Sequence, residues 1–125
     1  MVNQINQAWC DELPQGWHDL FTRLLTDLEA ADGSVRIVQA KQKFGQLRVY
    51  LERSTDQMNR LIDEASRQSA RTCERCGARG RLMQQPGGYF ETVCFDHKGK
   101  ARPVQRQPIV ASYRYSEDGE LREIK

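Results

Sequence analysis

The feature that most constrains this chain is a spaced set of soft ligands: Cys73-Glu-Arg-Cys76-Gly77, then Cys94-Phe-Asp-His97, with 17 residues between Cys76 and Cys94. A turn with two residues between ligands brings two side chains onto one edge of a tetrahedron. Gly77, just past the second sulfur, suits the positive-φ turn that aims backbone N–H groups at thiolates. Two such turns separated by a span of zinc-ribbon length supply three thiolates and an imidazole. That donor set selects Zn(II) and leaves no open position, so the site reads as structural rather than catalytic. A disulfide is the alternative, but three cysteines cannot all pair with one another, and disulfides are rare in reducing compartments. A redox role for Cys73 and Cys76 needs a helix after the pair, and Gly77-Ala-Arg-Gly80 is not helical.

Cys10 and His18 stand outside this pattern. Cys10 precedes the first long helix and reads as a small buried hydrophobe. His18 lies on the polar flank of that helix. With one of only two histidines committed to a metal, little remains for acid–base chemistry. No phosphate-binding glycine loop, nucleophile–base arrangement or spaced carboxylate pair is visible, so the expectation is a non-enzymatic protein.

The 125 residues fit one domain. No apolar run is long enough to span a membrane. No basic stretch followed by an apolar one opens the chain, so a cytoplasmic location is expected. Charge is uneven. Residues 1–72 sum to −1, whereas 71–106 hold eight basic side chains against three acidic ones, a net +5. Arg75, Arg79 and Arg81 are expected in part to offset thiolate charge.

Hydropathy periodicity organises the remainder. Trp17, Leu20, Phe21, Leu24, Leu25 and Leu28 recur at helical spacing and predict a helix over 14–31, entered at Pro14 and stopped at Gly33. Alternation predicts strands at 35–41, with Val35, Ile37 and Gln39 on one face, and at 46–52, with Leu47, Val49 and Leu51 on one face. Gly45 marks a turn or bulge between them, flanked by Lys41, Lys43 and Arg48. Thr55 caps a second helix over 55–70, whose stripe is Met58, Leu61, Ile62 and Ala65, with Ser69 a weak continuation. Two strands, at 81–83 and 89–93, with a turn at Pro86-Gly87-Gly88, complete the metal module. Residues 98–108 read as a basic loop. Asp118-Gly119 between Tyr113, Tyr115 and Leu121, Ile124 signals a C-terminal hairpin. The expected class is therefore α+β: two helices on a small antiparallel sheet, a zinc-ribbon-like module and a C-terminal β-hairpin. Within a single domain over 1–125 we distinguish a helix–hairpin–helix core at 14–70, a zinc module at 71–98, and a linker with hairpin at 99–125.

Lys41-Gln-Lys-Phe-Gly45-Gln-Leu-Arg48-Val-Tyr50, followed by Cys73-Glu-Arg-Cys76-Gly77 and Thr92-Val-Cys94-Phe-Asp-His97, resembles a widespread group of small bacterial and phage zinc-ribbon-containing proteins. Some members of that group look like immunity proteins encoded beside polymorphic toxins of the Rhs type. The resemblance covers roughly 14–98. Gln42 stands where the group usually has glutamate, and Tyr89-Phe90 where it usually has an indole. The resemblance implies a cognate toxin domain as partner. The net charge of +2 suits a toxin with a neutral or acidic cleft, an ADP-ribosyltransferase for example, better than a basic nuclease. The alternatives are a nucleic-acid-binding zinc ribbon, motivated by the basic 71–106 stretch with Tyr89 and Phe90 inside it, or a phage accessory protein. No membrane partner is expected.

Overall fold

Six apolar side chains at helical spacing build α2 (His18–Ala31), and five of them, Leu20, Phe21, Leu24, Leu25 and Leu28, are buried along it; Trp17, just before it, is fully buried. The expected helix over 14–31 begins instead with a 3-10 turn at Gln15–Trp17. The cause is local. Pro14 has no N–H to donate, and the Gly16 N–H goes to the Glu74 carbonyl at 2.8 Å. At the other end Asp32 accepts from the Ser34 N–H and hydroxyl, which turns the chain toward the sheet.

The computed structural model describes residues 3–104 and, beyond them, the backbone of two strands. In chain order the elements are α1 (Gln4–Gln7), α2, β1 (Ile37–Lys43), β2 (Gln46–Leu51), α3 (Asp56–Ser69), β3 (Arg81–Gln84), β4 (Phe90–Val93), β5 (Arg102–Pro103), β6 (Tyr113–Tyr115) and β7 (Leu121–Glu123). Two antiparallel sheets, β1–β2 and β4–β3–β5, are joined by a separate antiparallel pair, β6–β7. The α+β class is as expected; α1 and the 3-10 turn at Ala8–Glu12 are additional. The signalled turn around Asp118-Gly119 and the side chains of Tyr113 and Tyr115 lie outside the described residues, as do 105–112.

Lys43 pairs with Gln46, so Phe44 and Gly45 alone make the turn between β1 and β2. Both have positive φ, 54° and 79°, the geometry whose twist matches a two-residue hairpin. The expected face assignment for the first strand fails at one point. The register shifts between Ile37 and Gln39; Val35, Ile37 and Ala40 are buried, while Val38 and Gln39 are exposed. A bulge adds one residue and flips the alternation beyond it, which a strict period of two cannot reveal.

A two-stranded sheet has two open edges, and here polar side chains close both. Asn6 donates to the Val35 carbonyl and accepts from the Ile37 N–H, each at 3.0 Å. On the other edge Ser66 Oγ donates to the Leu47 carbonyl at 2.7 Å, and Ser69 Oγ accepts from the Leu47 N–H at 2.8 Å. Ser69, read as a weak end of an apolar stripe, is thus a fully buried strand cap. These bonds satisfy backbone groups that would otherwise be orphaned.

Helix α3 starts where expected, with the Thr55 hydroxyl accepting from the Met58 N–H, and packs beside α2 and along β2. One apolar cluster gathers α2, the hairpin, Met58 and Ala65; a smaller one gathers Cys73, Met83, Val93 and Ala101. The expected loop over 98–108 contains β5, whose Arg102 and Pro103 pair with Gln84 and Met83. Proline is tolerated there because β5 lies at the sheet edge.

Candidate metal centre

The first ligand pair sits in a tight loop after α3. Its frame is the Gly77 N–H to Cys73 carbonyl bond at 2.9 Å, the Cys73 N–H to Ala78 carbonyl bond at 2.7 Å, and the Gly80 N–H to Arg71 carbonyl bond at 2.7 Å. Gly77 has φ +81°, as its position past Cys76 implies. The second pair closes a 3-10 turn, Phe95–His97, in which the His97 N–H donates to the Cys94 carbonyl at 3.1 Å. Antiparallel pairing of β3 and β4 carries the two loops to the same end of the sheet.

The four predicted ligands meet. Their donor atoms all lie within 4.8 Å of one another. Cys76 Sγ and Cys94 Sγ are 3.8 Å apart, Cys73 Sγ and His97 Nδ1 3.8 Å, and Cys94 Sγ and His97 Nδ1 3.2 Å. A tetrahedral ion with metal–sulfur bonds of about 2.3 Å separates two sulfurs by about 3.8 Å, so the edges match a metal-sized centre. They do not match a disulfide, and all four cysteines are free. This Cys3His group can hold a metal ion.

Local donors prime the centre. Burial raises the Cys73 thiol, but N–H groups of Cys94, Arg75 and Cys76 outweigh it and bring the thiol down to about 6. The Arg75 N–H lies 3.4 Å from that sulfur. At Cys76 the Ala78 N–H favours the thiolate, yet burial and the neighbouring Cys73 and Cys94 sulfurs move the thiol upward. Like charges in one site resist simultaneous ionisation, so in the metal-free tetrad Cys73 ionises first. A dication removes that conflict.

Arg75 offsets thiolate charge only in part. Its guanidinium turns chiefly to Glu91, with Nε and Nη2 donating at 3.0 and 3.2 Å; the Glu91 carboxylate, and to a smaller extent the Cys73 sulfur, favour its charged form. Arg79 and Arg81 are exposed.

Four residues besides the ligands tie the centre to the helical core. Gly16 lies against the first ligand loop so closely that a Cβ there would collide with the Cys73 carbonyl oxygen. The buried Trp17 donates its indole N–H to the Thr72 carbonyl at 2.9 Å. Glu74, between the first two ligands, is buried; it accepts from the Thr92 N–H and from the Gln42 amide, which also donates to the Phe90 carbonyl at 3.0 Å. A glycine two residues after Pro14 and a glutamate between two cysteines were the available signals, but neither carries a partner's address.

Cys10 is buried and outside the centre, accepting from the Gln7 amide, and burial raises its thiol. His18 also lies apart, its Nε2 3.2 Å from the Leu13 carbonyl oxygen. Among the described residues no helix is long and apolar enough to cross a membrane. Comparison with protein-family models, curated proteins and solved structures finds no match for the chain.

Proposed function

We infer that this is a non-enzymatic binding protein whose fold is stapled by Zn(II) held by Cys73, Cys76, Cys94 and His97, and that it acts as an immunity protein, binding and blocking a cognate antibacterial toxin. The zinc assignment rests on the donor set, since three thiolates and an imidazole at tetrahedral spacing suit a closed zinc site. All four positions are filled by the chain, so the ion contributes folding energy and holds the two ligand loops in place. The observation that carries a binding role is on the outside. Phe44, Tyr50, Tyr89 and Phe95 are exposed, and a lysine Nζ stands within 6.0 Å of the ring centre for three of them. Exposed aromatics beside cations are the composition of interface anchors. The toxin as partner rests on the resemblance of the Phe44-Gly45-Gln-Leu-Arg48 and ligand segments to immunity proteins, and a cytoplasmic site of action goes with it. A toxin cleft that is neutral or acidic, as in an ADP-ribosyltransferase, suits the exposed cations.

Co-expression with the toxin domain encoded alongside tests the reading: growth is rescued and the two chains co-elute on a sizing column. Failure of both contradicts it. One other reading, single-stranded nucleic-acid binding, is favoured by the exposed Tyr89 and Phe95 within the basic 71–106 stretch, where bases can stack on rings beside cations. That reading requires a gel shift at low salt that fades steeply as salt rises.

A further inference from the structure

The geometry points to the outward face of the β1–β2 hairpin as a docking surface for an acidic protein segment, with Arg48 as the anchor for one of its carboxylates. This rests on the binding-protein reading above and names its surface.

The pairing register puts Gln39, Lys41 and Lys43 on one face of β1 and Gln46, Arg48 and Tyr50 beside them on β2; of these Gln46, next to the turn, is buried, and the others are half-buried or exposed. The opposite face, with Leu47 and Val49, is buried. Residues 37–51 hold three basic side chains and no acidic one, and all three cations share the outward face. Lys41 stands directly opposite Arg48. Directly opposed residues have Cβ atoms about 5 Å apart, and like charges there repel. No acid within the hairpin relieves that repulsion.

Arg48 adds an independent sign. Its Nε and Nη2 atoms are buried and make no hydrogen bond, and the buried Gln46 Oε1, two residues away on the same face, makes none either. A desolvated guanidinium without an acceptor is a standing cost. Elsewhere the chain uses this same edge on carboxylates: Arg75 donates Nε and Nη2 to the two oxygens of Glu91 at 3.0 and 3.2 Å, and Arg67 donates the same pair to one oxygen of Glu64. The fork of two parallel N–H groups matches two carboxylate oxygens. Burial also lowers the Arg48 pKa, which a facing carboxylate reverses. The side chain as a whole is half-buried. Turning its end outward breaks no hydrogen bond at either atom.

Carboxylates fit better than a stacked nucleic-acid strand. Lys41 Nζ lies 6.0 Å from the Tyr50 ring centre and Lys43 Nζ 5.7 Å from that of Phe44, so each ring already carries a cation, and the Phe44 ring also meets Phe90 edge to face. What the face offers is a short block of ammonium and guanidinium groups, sized for a few acidic side chains.

The test titrates the zinc-loaded full chain with a short peptide of alternating glutamate and tyrosine, its glutamine-for-glutamate counterpart, and an oligothymidylate. The acidic peptide should bind about tenfold more tightly than the neutral one, and Arg48→Gln and Lys41→Gln should each cost about tenfold. Arg48→Lys keeps the charge without the fork and should lose part of the affinity. Arg48→Leu should abolish peptide binding while raising Tm by a few degrees, because it removes the unpaired guanidinium; a merely structural arginine would move Tm the other way. Equal or absent binding of the two peptides, or an undiminished Arg48→Gln, overturns the proposal. Tighter oligothymidylate binding lost in the same variants overturns it in favour of a nucleic-acid surface. Growth rescue separates the two levels: if Arg48→Gln protects as well as wild type, the immunity reading stands and this surface falls. If wild type fails to protect, the immunity reading falls and the peptide titration still decides the surface.

Discussion

Single side chains here act where two parts of the fold meet. Glu74 is the clearest case. Burial pushes its carboxyl from 4.5 up to about 7, although the Thr92 N–H and the Gln42 amide favour the ionised form. Because the folded-state value lies above the ordinary one, the group's contribution to stability is complete below about pH 4.5 and is lost as pH rises through about 7. Glu74→Gln removes this titration. Denaturant unfolding of both proteins should show wild type losing about 1–3 kcal/mol relative to the variant between about pH 5 and about pH 8; parallel pH profiles would refute the assignment. Gly16 acts by having no side chain. A Cβ there meets the backbone of Cys73, Glu74 and Gly77, so Gly16→Ala should destabilise by about 1–3 kcal/mol, the usual cost of overpacking. It should also weaken metal binding, because the loop that yields carries two ligands. A wild-type metal dissociation constant in Gly16→Ala would show that the contact is incidental.

At the scale of elements, the hairpin is held at its edges as well as by its apolar face. Ser69 accepts from the Leu47 N–H and donates to the Ser66 carbonyl at 2.6 Å. Ser69→Ala leaves a buried N–H without a partner and should cost about 1–3 kcal/mol, with faster amide exchange at Leu47 as the local readout. Unchanged stability would mean that the helix does not cap the strand. These elements also show what could be read in advance. The α2 and α3 stripes, the two hairpin strands and the Phe44-Gly45 turn were legible because hydropathy period and turn chemistry are local. The bulge at Val38 was not, since one inserted residue leaves composition and nearby alternation intact. The strand at Arg102–Pro103 was not, because two residues carry no periodicity and their pairing with β3 is a tertiary fact. Ser66 and Asn6 looked like ordinary polar residues and Ser69 like the weak end of an apolar stripe; their role depends on which strand edge the chain brings past them.

For the molecule as a whole, the four ligands were legible because spacing and donor type together are specific. The junction was not: Gly16, Trp17, Gln42 and Glu74 join the metal module to the helical core through contacts between distant segments. The consequence is a coupled fold. The Trp17 indole to Thr72 carbonyl bond, the Gln42–Glu74 bonds and the Thr92 hydroxyl to Gly45 carbonyl bond at 2.8 Å link the ligand-bearing module to the hairpin whose outward face we assign to the partner. Loss of the ion should therefore disturb that face as well as residues 73–97. Apparent zinc-binding energies of about 10–16 kcal/mol act as folding energy in small metal modules, so a zinc ion held there would be the largest single contributor to order around the site.

The most direct measurement is elemental analysis of the purified chain combined with thermal unfolding of wild type and Cys76→Ser. One zinc per wild-type chain, none in Cys76→Ser, and a markedly lower Tm with altered tryptophan fluorescence in the variant are the predicted results. A metal-free wild-type chain, or a Cys76→Ser variant that melts at the wild-type temperature, would contradict the account.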